Sequence, residues 1–177
     1  MAFDREKFKA MVHCICWKTS ENPSSLGGTK LNKACWLADF VAYYNTGEPI
    51  TGAAYIKRQF GPVPRPILST LRDLEAGGIV VSSTKTFHGY PQTQFVAQYE
   101  PDLSLFTQDE LDLIERATAY VTEQHTAKSI SELSHDHVWK AAKDGEEIPY
   151  FTIFANPAPI TDSERQWALQ ELEAIAN

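Results

Sequence analysis

The chain has 177 residues and a mass of 19.9 kDa, the length of a single domain with room for a proper core. With 43 % apolar and 22 % charged residues it is too apolar to be disordered, and it has no run near the roughly 18 apolar residues of a membrane span. The net charge of −7 is uneven: residues 1–60 carry eight basic against five acidic residues, and residues 101–177 carry five against fifteen, which speaks against wrapping nucleic acid and suits docking to a basic protein surface.

Asp4 can cap a first helix whose stripe is Phe8, Met11, Val12, Ile15 and Cys16. Residues 20–28 read as a loop, after which Thr29 is expected to cap a helix from about Lys30 to Tyr44. Apolar residues cover most of that helix's circumference, which places it at the centre of a bundle. Asn45 to Pro49 form a turn, and a short helix is expected from about Thr51 to Gln59. Pro62, Pro64 and Pro66 then hold the chain extended until a helix starts, with Ile67, Leu68, Leu71 and Leu74 as its apolar face and Gly77-Gly78 as its stop. Strands are expected from Ile79 to Thr86 and from Thr93 to Tyr99, paired through His88-Gly89-Tyr90-Pro91. A helix followed at once by a hairpin has the pattern of a winged-helix element.

Three capping boxes mark helix starts further on: Thr107 with Glu110, Ser129 with Glu132, and Thr161 with Glu164. The first of these helices should bury Leu111, Ile114, Thr118 and Val121. Ser134 is expected to cap a helix from His135 to Lys143, and Ile148 to Phe154 reads as a strand or an extended packing segment. The fold class is therefore α+β, mainly α: a helical bundle with one winged-helix-like β-hairpin. Residues 1–150 form the domain, and residues 151–177 form an extension with an acidic helix packed on it.

The common sequence signatures of catalysis are missing. No Gly-x-Gly-x-x-Gly, Walker loop, Gly-x-Ser-x-Gly or His-Glu-x-x-His is present. His135 and His137 diverge on a helix, so the expectation is no metal, with His135 packing near Trp139 one turn on. Cys14, Cys16 and Cys35 read as buried thiols of a reducing cytoplasm, and residues 1–9 lack the apolar core of a signal peptide. Lys30, Lys33 and Asp39 are polar groups on an apolar helix and need partners. Lys33, Lys57, Arg58 and Arg65 are candidates to pair with Asp39. Trp36, Tyr43, Tyr44, Tyr55 and Phe60, with Lys57 and Arg58, read as an aromatic and basic region of the kind interfaces use.

The ordered features resemble a known family. Lys30-Leu31-Asn32-Lys33 followed by Trp36-Leu37-Ala38-Asp39-Phe40, the turn Gly47-Glu48-Pro49-Ile50-Thr51-Gly52, the segment Tyr55-Ile56-Lys57-Arg58-Gln59-Phe60-Gly61-Pro62-Val63, and Leu133-Ser134-His135 with Trp139 and Gly145-Glu146-Glu147-Ile148-Pro149-Tyr150 are similar to the Panacea-domain, or SocA-like, antitoxins, often labelled phage-associated proteins. The resemblance covers residues 5–150. It implies a bacterial or phage toxin–antitoxin system, neutralisation of a cognate toxin by direct protein–protein binding, a toxin encoded by the adjacent gene, no catalysis and no cofactor. The expected contact residues are Lys30, Lys33, Trp36, Asp39, Tyr55, Lys57 and Arg58, with His135 and Trp139 as a second group. The protein is expected in the cytoplasm, without membrane or nucleic acid, with a homodimer open. The alternative reading is a winged-helix-like DNA-binding or phage-associated regulator; an enzyme built on His135, Asp136 or Asp39 is a third.

Overall fold

The structure, a computed structural model, describes residues 2–87 and 89–155. Helix α1 (Arg5–Lys18) starts where the Asp4 carboxylate accepts the Lys7 amide at 2.9 Å, and it buries the whole expected stripe from Phe8 to Cys16. Helix α2 (Gly27–Thr46) is the central one, packed by α1 and by the elements that follow. It begins two residues before Thr29, with Leu26 buried at its N-cap and no side chain capping it. The helix ends where Gly47 adopts φ +79 and its amide donates to Tyr43 O at 2.8 Å, a left-handed cap that glycine takes without strain.

The segment expected to be a helix up to Gln59 is instead strand β1 (Tyr55–Arg58), paired antiparallel with β2 (Gly61–Pro64) from Tyr55↔Pro64 to Arg58↔Gly61. The other edge of β1 is also taken. Lys57 N donates to Glu146 O, Gly145 N to Lys57 O and Ile148 N to Tyr55 O, all at 2.8 to 2.9 Å. These bonds and the ladder to β2 satisfy the backbone of the segment from outside it, and they outweigh the helix propensity of Ala53-Ala54 and Lys57-Arg58-Gln59. Among the described residues the fold therefore has two hairpins rather than one.

Helix α3 (Ile67–Ala76) follows, then strands β3 (Val80–Phe87) and β4 (Tyr90–Ala97), paired from Val80↔Ala97 to Phe87↔Tyr90. The helix-then-hairpin order is as expected, but Leu68 faces solvent at 65 % exposure while Thr70 is buried in its place. Helix α4 (Gln108–Glu123) starts at the expected box, with Thr107 and Glu110 capping each other's backbone amides. It buries Ile114, Thr118 and Val121 against α2, with Leu111 half-buried. Helix α5 (Ala127–Leu133) is capped by Thr126, not Ser129; Ser129 sits three residues later and closes the box from inside. Helix α6 is only His137–Ala141. Asp136 caps it by accepting Trp139 N at 2.7 Å, while Ser134 turns back to donate to Ser131 O and ends α5. Residues Tyr150–Phe154 form a 3-10 turn rather than a strand. The expected capping box at Thr161 and the acidic helix after it lie outside the described residues.

The core is made by Phe8, Met11 and Ile15 of α1, Leu31, Ala34 and Ala38 of α2, and Ile114 and Val121 of α4. Cys14, Cys16 and Cys35 are free thiols within it, as read from the sequence; burial pushes Cys16 up to about 12, which keeps it an unreactive thiol. The charge asymmetry of the sequence is partly spent inside the fold. Lys7 pairs with Glu110 and Lys18 with Glu115, binding α1 to α4, and Arg65 lies 3.9 Å from Glu147. Among the described residues no helix is long and apolar enough to cross a membrane.

Candidate partner-binding site

Helix α2 carries two buried charges six residues apart, and the fold treats them differently. Asp39 is fully buried. Its carboxylate accepts Thr51 N at 2.8 Å, Thr51 Oγ1 at 2.6 Å and Tyr55 OH at 2.7 Å. None of the four cations expected to pair with it does so; two hydroxyls and one amide satisfy it instead. Burial raises its carboxyl to about 6, and the hydrogen bonds from Thr51 and Tyr55 hold that rise in check. Tyr150 packs on Tyr55 and Phe40, and its hydroxyl donates to Ala53 O at 2.6 Å. The Asp39 cluster thus ties α2, the turn before β1 and the C-terminal segment together.

Lys33 is 1 % exposed, and no carboxylate pairs with it among the described residues. Its ammonium donates to Pro62 O at 3.1 Å. Burial alone lowers it from 10.5 to about 7. Gly61 makes this arrangement possible: at φ +102 it lies against both the Lys33 Nζ and the Ser134 Oγ, and a Cβ there would collide with both.

Next to Lys33 stands a stack of the remaining candidates. His135 lies flat on Trp139, with ring centroids 3.6 Å apart and planes 9° from parallel. The Lys57 ammonium sits 4.3 Å from the Trp139 centroid and caps the end of α6 by donating to Ala142 O at 2.8 Å. Trp139 Nε1 donates to Arg58 O at 3.2 Å, and the Arg58 guanidinium reaches Asp144 at 2.8 Å. Burial, together with the charges of Lys33, Lys140 and Lys57, lowers the His135 imidazole below its usual range. Among the described residues, the buried Asn32 Oδ1, Trp36 Nε1 and His135 Nε2 find no hydrogen-bond partner.

A cavity of about 320 Å³ opens beneath the β1–β2 tip, lined by Asn32, Lys33, Arg58, Phe60 and Asp144 among others. A larger cavity, about 790 Å³, lies at the start of α2 against the second hairpin, and Lys30 belongs to that one. Lys30 donates to Ser25 O at 2.9 Å and Thr122 O at 3.3 Å, so it braces the loop before α2 against the end of α4. Most of the expected aromatic region is continuous: Trp36 packs on Phe40, Phe40 on Tyr55, and Tyr150 bridges Tyr55 to Tyr43. Tyr55 is core, Tyr43 and Tyr44 face Phe154, and Phe60 is exposed at the hairpin tip. Sequence reasoning missed Thr51, Gly61 and Asp144 as members of the two centres; they stand in a turn, at the start of β2 and in the turn after α6, where no periodicity marks them.

The model of the SocA-like antitoxin family, Panacea domain, matches residues 31–140, well over half of the chain. The chain belongs to this family. The matched Panacea domain runs from the first turns of α2 to α6, so it contains Lys33, Asp39 and the His135–Trp139–Lys57 stack together. Among curated proteins and among solved structures, nothing matches the chain.

Proposed function

We propose that this protein is an antitoxin that neutralises a cognate protein toxin, the product of the adjacent gene, by direct binding, without catalysis or cofactor. The observation that carries this reading is membership of the antitoxin family through the very segment that assembles the β1–β2 hairpin and α6. The binding face is the one around that hairpin, with Lys57, Arg58, His135, Trp139 and the cavity over Lys33. Arg58 and Phe60 are exposed there, and Lys57, His135 and Trp139 are half-buried beside them, a mix of cations and aromatic rings suited to a protein partner. A DNA-binding reading finds less support: outward on α3 lie Leu68, Arg72 and Glu75, while Asp73 is held by Arg5 at 2.7 Å.

The test is induction of the adjacent gene in a bacterial host, alone and with this chain, followed by colony counts. Growth arrest that co-expression relieves, with the two proteins co-purifying, is the expected result. An expressed neighbour without toxicity would count against the reading. The acidic balance beyond residue 100 further leads us to expect that binding to a basic toxin weakens as salt is raised.

A further inference from the structure

We propose that the cavity beneath the β1–β2 tip receives a carboxylate, supplied by an acidic side chain of a partner protein, with Lys33 and Arg58 as its cationic groups. The inference rests on the partner-binding reading and names the chemistry of its contact.

Lys33 is the main argument. An ammonium removed from water at such depth is costly unless a counter-charge or a full set of acceptors meets it, and this one has a single carbonyl. Asn32, one residue before it on α2, lines the same cavity and leaves one buried amide atom unpartnered. The buried atom is the oxygen Oδ1, an acceptor, so an incoming anion would be met by the Nδ2–H group at the other side of the amide. Thr29 adds a hydroxyl from one turn below. Arg58 is at the mouth, and its present partner Asp144 is a weak competitor: both side chains are more than half exposed, so water screens the pair. A carboxylate entering the cavity would meet two cations, an amide and a hydroxyl, and its two oxygens match the planar fork of the guanidinium.

The size and charge select the class of ligand. A volume of about 320 Å³ is at the small end for ligand sites and accommodates a short side chain rather than a nucleotide. One buried cation balances a monoanion, and the Asp144 carboxylate in the lining opposes a phosphate dianion. Occupancy also supplies a physical reason for keeping Lys33: an unpaired buried charge in the free protein becomes a paired one in the complex, so the cost of burying it favours binding.

The experiment is an NMR titration of the whole chain, labelled at lysine Cε and at backbone amides, with acetate, with the capped peptide acetyl-Gly-Glu-Gly-amide, and with inorganic phosphate at constant ionic strength. The expected result is a saturable shift of Lys33, Asn32 and Gly61 with acetate and with the peptide, and a Lys33 ammonium that persists to higher pH when either is bound. Lys33→Met should abolish the saturable shift, Arg58→Gln should weaken it, and Lys128→Met, at an exposed position of α5, should leave it unchanged. If Lys33→Met fails to fold, the wild-type lysine signal and Arg58→Gln still decide. Tighter binding of phosphate, a shift that never saturates, or binding that survives Lys33→Met would overturn the carboxylate site. Binding of acetate with exclusion of the peptide would overturn the protein source of that carboxylate. Because no probe is the toxin, the outcome is separate from the antitoxin reading: toxin neutralisation can fail while acetate binds Lys33, and the reverse.

Discussion

Asp39 and Lys33 lie on one helix, both out of water, yet only the carboxylate is fully served by the fold. Three donors converge on Asp39 from the turn before β1 and from β1 itself. One carbonyl meets Lys33. The difference separates two uses of a buried charge. A charge with every valence satisfied fixes the architecture, because each of its partners is orphaned if it is removed. A charge with one partner costs stability in the free protein and is explained by something that arrives later.

The sharpest way to break this contrast is Asp39→Ala. The substitution leaves a buried amide and two buried hydroxyls without an acceptor, and we expect a loss of about 3–5 kcal/mol, read as a lower midpoint in urea. Lys33→Met should do the opposite. Methionine fills the volume of the stem and removes the unpaired ammonium, so stability at neutral pH should hold or rise by about 1–4 kcal/mol while partner binding falls. A Lys33→Met protein that unfolds as readily as Asp39→Ala would make the two centres alike.

Their pH dependences run in opposite directions. Burial favours the neutral form in both cases. Lys33, lowered to about 7, contributes stability that is complete above 10.5 and lost as pH falls through about 7. Asp39, raised to about 6, contributes stability that is complete below 3.8 and lost as pH rises through about 6. Between about pH 7 and 10, wild-type stability should therefore climb relative to Lys33→Met by up to about 1.4 kcal/mol per pH unit, measured by urea melts of both proteins. A constant gap across that range would mean that Lys33 finds a counter-charge in the free protein.

How much of this was legible in sequence follows the same division between local and distant causes. Helices α1 and α4 and the β3–β4 hairpin are written in periodicity, caps and the Gly77-Gly78 stop, all of which are short-range. Asp39 and Lys33 stand out because polar residues interrupt an otherwise apolar helix. Strand β1 was not legible: Ala53 to Gln59 favours helix locally, and the Gly145–Ile148 segment that takes its outer edge lies some ninety residues downstream. The partners of Asp39 were misassigned for a related reason. Opposite charge suggested lysine or arginine, whereas Thr51 and Tyr55 reach the carboxylate only once the turn at Gly52 and the strand after it have formed.

A smaller effect tests the cover over Lys33. Gly61→Ala places a Cβ at φ +102, against the lysine ammonium and Ser134, and we expect a cost of about 1–3 kcal/mol from backbone strain and displacement of Lys33. If the lysine is the cause, Gly61→Ala in the Lys33→Met background should cost less, because the more pliable thioether can yield where the ammonium is tied to Pro62 O.

The smallest expected change in stability is also the most discriminating for the cavity. Arg58 and Asp144 are 51 % and 69 % exposed, so Asp144→Asn should alter the urea midpoint by no more than about 0.5–1 kcal/mol. It nevertheless removes the carboxylate that pairs with Arg58 among the described residues. Acetate affinity should therefore increase in Asp144→Asn, while the fold and the Asp39 cluster are untouched. Unchanged affinity would place Arg58 outside the site and leave Lys33 as its sole cation. A decrease would mean that Asp144 holds the guanidinium in position for the incoming anion, so that the exposed pair organises the site rather than blocking it.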